Sequence, residues 1–349
     1  MKTIRVGKGR IGAGCPCFLA AEIGINHNGD MALAHRSIDA AAEAGADAVK
    51  FQNYRTEDFL SDRSLTYEYI SQGKAVVEAQ YDMFKRCELS PSSLVELREH
   101  CDRRGLIFFS TPTNEGGVED LARAGALLLK NGSDYLVHLP LIRAMAGSGL
   151  PTVLSTGMAT LGEIDDAVRA FREAGGTGLL LLLCTSSYPT PPEDVHLRKI
   201  AALAAAFDCP VGLSDHTQGI VAAVGAVALG ACFIEKHFTL DRTLPGPDQR
   251  FSSDPAEFRA LVDAVRVMEK SLGSSEITPT PSEMAGRRGY RLSCVAAEEL
   301  KAGHCLSSAD VAFRRPGTGL PPKALEWLLG RRLANPVSRG HIFMPEDFA

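Results

Sequence analysis

Long apolar runs, an excess of basic residues and paired cysteines are all missing from this sequence of 349 residues. The apolar run at 179–184 is far shorter than the roughly 20 residues of a membrane-spanning helix, which argues against a membrane protein. With 37 Lys and Arg against 42 Asp and Glu, the net charge is −5, which argues against electrostatic binding of nucleic acid. The nine cysteines include no CxxC pair and predict reduced thiols rather than a disulfide framework or a zinc knot.

We expect no secretion signal either. Basic residues near the start are followed by an apolar stretch, but Glu22 interrupts it before the length of a signal-peptide core is reached. We therefore expect a cytoplasmic protein. The rest of the composition, 45% hydrophobic and 23% charged, is typical of a soluble globular protein. At roughly 150 residues per domain, the length suggests two domains, or one large domain with an appendage.

The first 272 residues alternate between short runs rich in β-branched and apolar residues and stretches typical of helices. The predicted helices include 30–44, 91–104, 161–174 and 219–229. The eight predicted strands are 18–26, 46–54, 106–113, 126–133, 151–157, 178–186, 210–217 and 231–240. This alternation predicts a parallel sheet covered by helices. Eight units over about 250 residues favour an α/β fold of the (β/α)₈ barrel type over a doubly wound open sheet, which gives a similar local pattern.

A linker rich in Gly, Ser and Pro follows the barrel at 273–287. Residues 288–349 are short apolar pieces broken by Gly and Pro, which predicts a small β-rich module with one helical turn near 325–329. Roughly 60 residues give only a marginal core, so we expect this module to dock on another surface.

Polar and ionisable side chains accumulate late in the predicted strands, after the apolar residues. The carboxyl ends of barrel strands surround one shared mouth, where active sites lie. Because a charged side chain inside a sheet costs several kcal/mol unless it is paired or bound, a whole set at one end indicates a site. The set comprises Glu22, Asn26, Lys50, Gln52, Thr111, Thr113, Lys130, Ser133, Ser155, Thr185, Ser186, Ser214, His216, Glu235 and His237.

The segments SDHT (214–217) and EKHF (235–238) form the first constellation within this set. Side chains alternate along a strand, so Ser214 and His216 share one face, as do Glu235 and His237. If the two strands are neighbours, the imidazoles converge, which suits an open site for a divalent metal such as Mn²⁺ or Fe²⁺ rather than structural zinc. Glu235 is then a candidate to orient a water molecule or to act as a base. The alternative is a pair of core histidines bonded to the backbone.

Lys50 and Lys130 form the second constellation, because each follows an apolar run and needs an anion once it is buried. The two lysines predict a pocket for a phosphate or a carboxylate at the barrel mouth. Candidate hydroxyl donors to that anion are Thr111, Ser133, Ser155 and Ser214. Two alternatives stay open: an internal salt bridge between one lysine and Glu22, and a Schiff-base lysine of an aldolase.

A series of segments in order resembles one family, the sialic acid (N-acetylneuraminate) synthases, which include the legionaminic and pseudaminic acid synthases. The segments are AEIGINHNGD (21–30), AGADAVKFQ (44–52), STPTN (110–114), LSTGMATLGEI (154–164), CTSSYPTPPEDVHL (184–197), GLSDHTQGI (212–220), IEKHFTLDRTLPGPD (234–248) and RRPGTGL (314–320). They cover nearly the whole chain, and such a set is far more specific than a single motif.

The resemblance implies a (β/α)₈ barrel followed by an antifreeze-like SAF domain. It implies condensation of phosphoenolpyruvate with an aldose similar to N-acetylmannosamine, giving a nonulosonic acid and phosphate. It also implies that His216 and His237 bind a divalent metal, Mn²⁺ in the first place and Mg²⁺ or Co²⁺ as alternatives. In the family, an arginine of the partner chain, matched here by Arg315, reaches the active site of a domain-swapped homodimer. A linker of about 14 extended residues would span some 45 Å.

The remaining site residues implied by the resemblance fall into three groups. Positions matching those that contact phosphoenolpyruvate are Lys50, Lys130, Ser133, Ser155 and Ser214. Positions matching those around the sugar are Glu22, Gln52, Tyr188 and Asp248. Further candidates for substrate contact are Thr111, Asp134, Tyr135 and Ser186, and the candidates for catalysis are Glu22, Lys50, Lys130 and Glu235.

The sequence departs from the family pattern at one segment. The family has a carboxylate two residues after the serine of its KxxS segment, whereas this chain has Tyr135 there and His138 in place of a usual asparagine. Three interpretations stay open: Asp134 supplies the carboxylate, the acceptor sugar differs, or turnover is impaired. The competing functions are a phosphoenolpyruvate-dependent aldol synthase acting on another aldehyde sugar and a sugar-binding homologue with impaired catalysis.

Overall fold

The computed structural model describes residues 2–349 and forms two compact units, the first ending at Gly273 and the second spanning Ser274–Ala349. The strands of the first unit are β1 (Thr3–Val6), β2 (Gly9–Gly12), β3 (Phe18–Gly24), β4 (Ala48–Asn53), β5 (Thr66–Ser71), β6 (Lys74–Ala79), β7 (Ile107–Pro112), β8 (Leu129–Lys130), β9 (Thr152–Ser155), β10 (Leu179–Cys184), β11 (Val211–Asp215) and β12 (Phe233–His237). Its helices are α1 (Met31–Ala44), α2 (Thr56–Phe59), α3 (Gln80–Cys87), α4 (Pro91–Arg104), α5 (Glu115–Ala124), α6 (Leu139–Gly147), α7 (Leu161–Glu173), α8 (Pro192–Val195), α9 (Lys199–Phe207), α10 (Val221–Ala228) and α11 (Pro255–Leu272).

Eight strands form a closed parallel barrel in the order β3, β4, β7, β8, β9, β10, β11 and β12. The barrel closes because β12 pairs with β3 in parallel, with Phe233 opposite Phe18 and His237 opposite Glu22. Each of the eight predicted strands contains one of these strands, so the predicted (β/α)₈ fold is confirmed and the open doubly wound sheet is excluded.

Several helices of the barrel begin and end at residues that cap them. The Asp30 side chain accepts a hydrogen bond from the Ala32 N–H at 2.8 Å and caps α1. The same helix ends at Gly45, whose φ of 88° is a left-handed conformation that glycine adopts without strain. Thr160 and Glu163 form a capping box at the start of α7. These local signals fix the lengths of the helices that cover the barrel.

Two apolar layers hold the barrel together. Outward-facing strand residues such as Leu19 and Ile23 pack against the helices, and inward-facing residues such as Phe109 and Phe233 fill the amino-terminal half of the barrel. The rings of Phe109 and Phe233 lie edge to face at 6.3 Å. Ile4 and the rest of the β1–β2 hairpin pack against this inner layer. The polar side chains are therefore confined to the carboxyl-terminal half.

A second hairpin, β5–β6, lies between β4 and β7 and was not predicted from the sequence. It is joined to the loop that follows β12, because the Gly246 N–H donates to Ser71 Oγ at 3.1 Å and Gln72 Nε2 donates to the Thr243 carbonyl at 3.1 Å. The hairpin is thereby held at the carboxyl end of the barrel, beside the polar residues.

The second unit contains an antiparallel pair, β13 (Ser293–Ala296) and β14 (Val311–Arg314), and two helices, α12 (Pro281–Tyr290) and α13 (Leu325–Leu328). Helix α12 begins within the stretch predicted as a linker, so that stretch is partly helical. Buried apolar residues such as Leu306, Leu328 and Phe343 form its small core. Across the described residues of both units, no helix has the length and apolar character needed to cross a bilayer.

Candidate active site

One cavity of about 430 Å³ lies at the carboxyl end of the barrel. Most residues of the predicted set line it, together with the further candidates of the first unit. They are Glu22, Lys50, Gln52, Thr111, Thr113, Lys130, Ser133, Asp134, Tyr135, Ser155, Ser186, Tyr188, Ser214, His216, Glu235, His237 and Asp248. Asn26 and Thr185 do not line it; the Asn26 side chain instead donates to the Phe238 carbonyl and to Ser252 Oγ, both at 2.9 Å. The barrel thus gathers side chains separated by more than two hundred positions, because the ends of neighbouring parallel strands meet at the same rim.

Two buried lysines and two buried glutamates form the floor of the cavity. Lys50 Nζ lies 2.8 Å from Glu22 Oε1 and 4.0 Å from Glu235 Oε2, and it donates to Thr111 Oγ1 at 3.2 Å. Lys130 Nζ lies 3.3 Å from Glu235 Oε1. The alternative of an internal salt bridge between one lysine and Glu22 therefore applies to Lys50, in a network in which both lysines contact Glu235.

Burial and the neighbouring lysine charges have opposite effects on the pKa values of these two carboxyl groups. Burial raises the pKa of Glu22, and Lys50 offsets only part of that effect. Burial also opposes ionisation of Glu235, but Lys130 and Lys50 outweigh it and lower the pKa of Glu235. Glu22 Oε2 and Glu235 Oε2 are both buried without a hydrogen-bond partner among the described residues. The two carboxyl groups thus differ in proton affinity and each keeps one free oxygen.

Gly24 permits the position of Glu22. Its φ of 53° lies in the left-handed region, and a Cβ there would lie 2.9 Å from Glu22 Oε1 and 3.3 Å from Gln52 Nε2. Gln52 Nε2 donates to the same glutamate oxygen at 3.1 Å. Glycine therefore makes room for the carboxyl group at a bulge between β3 and β4.

Hydroxyl groups line the side of the cavity next to Lys130. Ser133 Oγ donates to Ser155 Oγ at 2.9 Å and accepts the Gly157 N–H at 3.1 Å. Ser214 Oγ donates to Glu235 Oε1 at 3.0 Å. Hydroxyl groups beside buried ammonium groups can bind the oxygens of a phosphate or a carboxylate, as the sequence predicts.

The two histidines converge at the same cavity. Their ring centroids lie 5.4 Å apart, and the ring of Tyr188 lies 4.2 Å from that of His216. His216 Nδ1 donates to the Thr185 carbonyl at 2.9 Å, so the proton of the neutral imidazole lies on Nδ1 and Nε2 is then free to bind a metal. Burial, followed by the charge of His216, lowers the pKa of His237 well below its usual range.

This pair fits an open metal site better than a structural one. His237 Nδ1 is buried and has no hydrogen-bond partner among the described residues. Within residues 2–349, no group of three or more His, Cys, Asp or Glu side chains is arranged to bind a metal ion. Two imidazoles could therefore bind a divalent cation only together with oxygens of water or substrate, which is the arrangement of a catalytic site.

Asp134 and Tyr135 both reach the cavity at the segment that departs from the family pattern. They lie in a 3₁₀ turn, Ser133–Tyr135, directly after β8. Burial raises the pKa of Asp134, and Lys130 counteracts this in part. The ring of Tyr135 stacks on His138 at 6.0 Å with an angle of 18°. A carboxyl group thus lines the cavity here, one position earlier in the chain than the resemblance implies.

Two features of the site escaped the sequence analysis. The first is a wall of aromatic and apolar side chains contributed by the segment between β4 and α4, formed by Tyr54, Phe59, Tyr67, Met83 and Phe84. A usable signal was present, because four of the seven tyrosines of the chain lie between positions 54 and 81.

The second feature is a buried ion pair behind the histidines. Lys236 Nζ lies 2.8 Å from Asp215 Oδ2 and donates to the Thr217 carbonyl at 2.7 Å. Asp215 Oδ1 accepts the Thr217 N–H at 2.9 Å. The pair fixes the backbone on both sides of His216. Its signal was the strict alternation of SDHT and EKHF, in which the side chains facing away from the cavity also carry opposite charges.

Cys184 also lines the cavity. The residues next to Cys184 in the chain do not indicate a low pKa for its thiol. In the structure, burial raises the pKa, but the hydrogen bond and charge of His216 outweigh burial and lower it to about 6. The low pKa of Cys184 thus comes from its contact with His216, which is 32 positions away in the chain.

Arg315, the remaining predicted site residue, belongs to the second unit. Its guanidinium lies over the ring of Tyr290 at 5.2 Å. Its predicted role in the site of a partner chain stays a prediction.

Comparison with known proteins finds, for each of the two units, the family that the sequence resembles. The sequence profile of the NeuB family matches residues 37–277, and that of the SAF domain matches residues 293–349. The chain is 42% identical to an uncharacterised protein of Methanocaldococcus jannaschii, covering 99% of both chains. It is 39% identical to the N,N'-diacetyllegionaminic acid synthase of Legionella pneumophila, covering 94% of both chains.

A solved structure is similar as well. It is the N-acetylneuraminic acid synthetase of Leptospira borgpetersenii in complex with citrate, at 35% identity and a TM-score of 0.74, with 82% of this chain and 95% of the other covered.

Proposed function

Because the chain belongs to the NeuB family, we propose that it condenses phosphoenolpyruvate with an N-acetylated aldose, giving a nonulosonic acid and phosphate. The observation that carries this proposal is the convergence of two buried ammonium groups and two imidazoles in one cavity. The phosphate and the carboxylate of phosphoenolpyruvate can bind the ammonium groups of Lys50 and Lys130. The aldehyde oxygen of the sugar then lies on the side of the cavity formed by His216 and His237.

Lys50 and Lys130 bind the anionic ends of phosphoenolpyruvate, with Ser133, Ser155 and Ser214 donating to its oxygens. The lysines lie at the floor of the cavity, so the enol carbon C3 is directed towards the mouth, where the aldose enters. Binding both reactants in one cavity converts a bimolecular reaction into an intramolecular one, which lowers the entropic part of the barrier. The charges are already in place before the reactants arrive, so little reorganisation is needed.

His216 and His237 are the residues that would bind a divalent cation, for which we propose Mn²⁺, with Mg²⁺ or Co²⁺ as alternatives. When bound, such a cation polarises a carbonyl oxygen and stabilises the negative charge that develops on it. Tyr188 packs against both imidazoles, at 4.2 Å from His216 and 5.8 Å from His237, and limits the space available to the aldehyde end of the sugar.

The carbon–carbon bond forms between C3 of phosphoenolpyruvate and the aldehyde carbon. Attack by C3 leaves an oxocarbenium ion at C2, to which water adds with loss of one proton. The remaining proton of the new C2 hydroxyl passes to the departing phosphate as the C2–O bond to phosphate breaks and the keto group forms. The two glutamates suit the proton transfers because their surroundings separate their pKa values. Glu22, whose pKa is raised by burial, delivers a proton to the former aldehyde oxygen. Glu235, whose carboxylate is stabilised by Lys130 and Lys50, accepts a proton from the attacking water.

The test is release of phosphate from phosphoenolpyruvate in the presence of a panel of aldoses, with the product identified by mass spectrometry. We expect His216→Ala to abolish metal-dependent turnover while the far-ultraviolet circular dichroism spectrum is unchanged. The matched control is His35→Ala, which removes an imidazole that contacts Glu96 on α4, away from the cavity. A His216→Ala variant as active as the parent would refute the role given to the imidazoles.

The resemblance also supports a homodimer in which Arg315 of one chain acts at the cavity of the other. Arg315→Ala and His216→Ala should each be inactive. Mixed and refolded together, they should regain activity, because one cavity of a heterodimer then receives both an intact His216 and an intact Arg315. Failure to regain activity would refute the exchange.

Tyr135 favours one competing function, a sugar-binding homologue with impaired catalysis. Binding of an aldose without phosphate release in the presence of Mn²⁺ would support that function. The carboxyl group of Asp134 at the cavity supports catalysis instead, because it can replace the missing family carboxylate.

A further inference from the structure

Where β8 ends, a side chain makes a hydrogen bond that a main-chain carbonyl makes in a regular sheet. Strands β8 and β9 pair in parallel, with Lys130 opposite Val153. The Asn131 N–H continues this ladder by donating to the Val153 carbonyl at 3.1 Å. In a regular parallel pair, the next bond runs from the Ser155 N–H back to the Asn131 carbonyl. In this structure the Ser155 N–H donates instead to Oδ1 of the Asn131 side chain, at 2.7 Å.

This exchange changes the partner of the Asn131 carbonyl. Its oxygen accepts a hydrogen bond from Lys130 Nζ at 3.2 Å. The ammonium group of Lys130 therefore lies between this carbonyl and Glu235 Oε1, which is 3.3 Å away. A carbonyl within the ladder is directed at the neighbouring strand. The side chain of Asn131 thus frees the main-chain oxygen for Lys130, because it takes over the bond to β9.

Asn131 itself lies outside the cavity. It is fully buried and does not line the cavity, whereas Lys130 and Ser155 both do. Its Nδ2 is buried without a hydrogen-bond partner among the described residues. A buried donor without a partner costs free energy, and an apolar side chain of similar shape would avoid that cost. The amide is therefore present for its oxygen, which bonds to the backbone of a residue that lines the cavity.

From these contacts we infer that Asn131 is a positioning residue for the binding of phosphoenolpyruvate. Its side chain fixes the backbone of Ser155, whose hydroxyl accepts a hydrogen bond from Ser133 Oγ at 2.9 Å. Its carbonyl fixes the ammonium group of Lys130. The inference rests on the proposed function and deepens it, because it adds a residue outside the cavity to those that orient one substrate. Asn131 touches neither reactant and acts only through Lys130 and Ser155.

The experiment replaces Asn131 with leucine, which has a similar shape and no acceptor. In Asn131→Leu the Ser155 N–H returns to the main-chain carbonyl, and Lys130 loses that oxygen. We expect the KM for phosphoenolpyruvate to rise about tenfold, roughly the effect of one lost hydrogen bond to a charged group. The kcat and the KM for the aldose should stay near those of the parent, because the lost contact binds phosphoenolpyruvate equally in the ground state and the transition state. Titration calorimetry with phosphoenolpyruvate alone should show the same change in Kd without turnover.

Asn53→Leu is the matched control. Asn53 is also a buried amide at the carboxyl end of a barrel strand and does not line the cavity. Its Nδ2 donates to the Gly117 carbonyl on α5 at 3.1 Å, so its removal should lower stability in urea denaturation and leave the KM for phosphoenolpyruvate unchanged. If Asn131→Leu fails to fold, Asn131→Ser provides the same test, because the serine side chain ends one bond short of Oδ1.

The outcomes separate the inference from the proposed function. An unchanged KM and Kd for phosphoenolpyruvate in the Asn131 variants, or an equal rise in Asn53→Leu, would overturn the inference and leave the proposed reaction intact. An equal rise in the KM for the aldose would also overturn it, because the effect would then extend to the whole cavity. Absence of phosphoenolpyruvate binding and of phosphate release in the parent protein would refute the proposed function itself, and the inference with it.

Discussion

The buried pair of Lys236 and Asp215 leads to a sharp prediction about stability. Both side chains are 3% exposed or less, and their charged atoms lie 2.8 Å apart. Lys236→Met would leave the Asp215 carboxylate buried without its cation and the Thr217 carbonyl without its donor. Breaking a buried pair from one side costs about 3–5 kcal/mol, so the free energy of unfolding of the first unit should fall by that amount.

Urea denaturation followed by far-ultraviolet circular dichroism measures this change. The emission of the only tryptophan, Trp327, which lies in the second unit, serves as a reference within the same molecule. A surface control is Arg123→Met, which breaks an exposed ion pair with Glu119 and should cost about 0.5 kcal/mol or less.

The double variant Asp215→Leu/Lys236→Met removes both charges and should recover at least half of the loss, because no unpaired charge remains buried. Turnover should stay low in the double variant, since the ion pair fixes Asp215 and Thr217, the two residues on either side of His216. A cost below about 1 kcal/mol for Lys236→Met would refute the reasoning, because it would place a buried pair in the range of surface pairs.

Three further predictions concern single residues. His27 is buried and its pKa is lowered to about 4, mainly by burial; its neutral form stabilises the fold above pH 6.5, and up to about 3 kcal/mol is lost as the pH falls from 6.5 to 4. His27→Gln should lack this loss in urea denaturation at a series of pH values. Asp134→Asn should lower kcat about 10- to 100-fold in the phosphate-release assay if Asp134 replaces the family carboxylate, whereas Tyr135→Phe should retain turnover. Phe109→Ala in the inner layer should cost about 3–5 kcal/mol by the same denaturation assay, and a cost near zero would contradict the packed interior.

The barrel could be predicted from the sequence because its signals are local. Each strand has its own apolar run, and each of the helices α1, α4 and α7 has its own capping residues. The site followed from the same pattern, since polar residues late in consecutive strands have to meet when the sheet closes. Even β8, which is only Leu129–Lys130 in the structure, was detected through its apolar run.

The features that could not be predicted depend on contacts between distant segments. The β5–β6 hairpin is largely exposed on both faces, so it lacks the alternation of apolar and polar residues that marks a half-buried strand. The side chains of Tyr54, Phe59, Tyr67, Met83 and Phe84 look in the sequence like ordinary core residues until α2, the hairpin and α3 are brought together beside β4. The low pKa of Cys184 likewise requires His216, which directly follows β11, the strand next to that of Cys184.

The inner apolar layer, with Phe109 and Phe233 at its centre and the β1–β2 hairpin beneath it, makes the cavity a blind-ended well. Two ligands that bind at different depths of such a cavity can enter in only one order, because the outer ligand blocks the path to the deeper site. In steady-state kinetics we expect a compulsory order, in which the ligand of Lys50 and Lys130 binds before the ligand at the mouth of the cavity. A large excess of the second ligand should then inhibit the reaction, because it blocks the path of the first ligand.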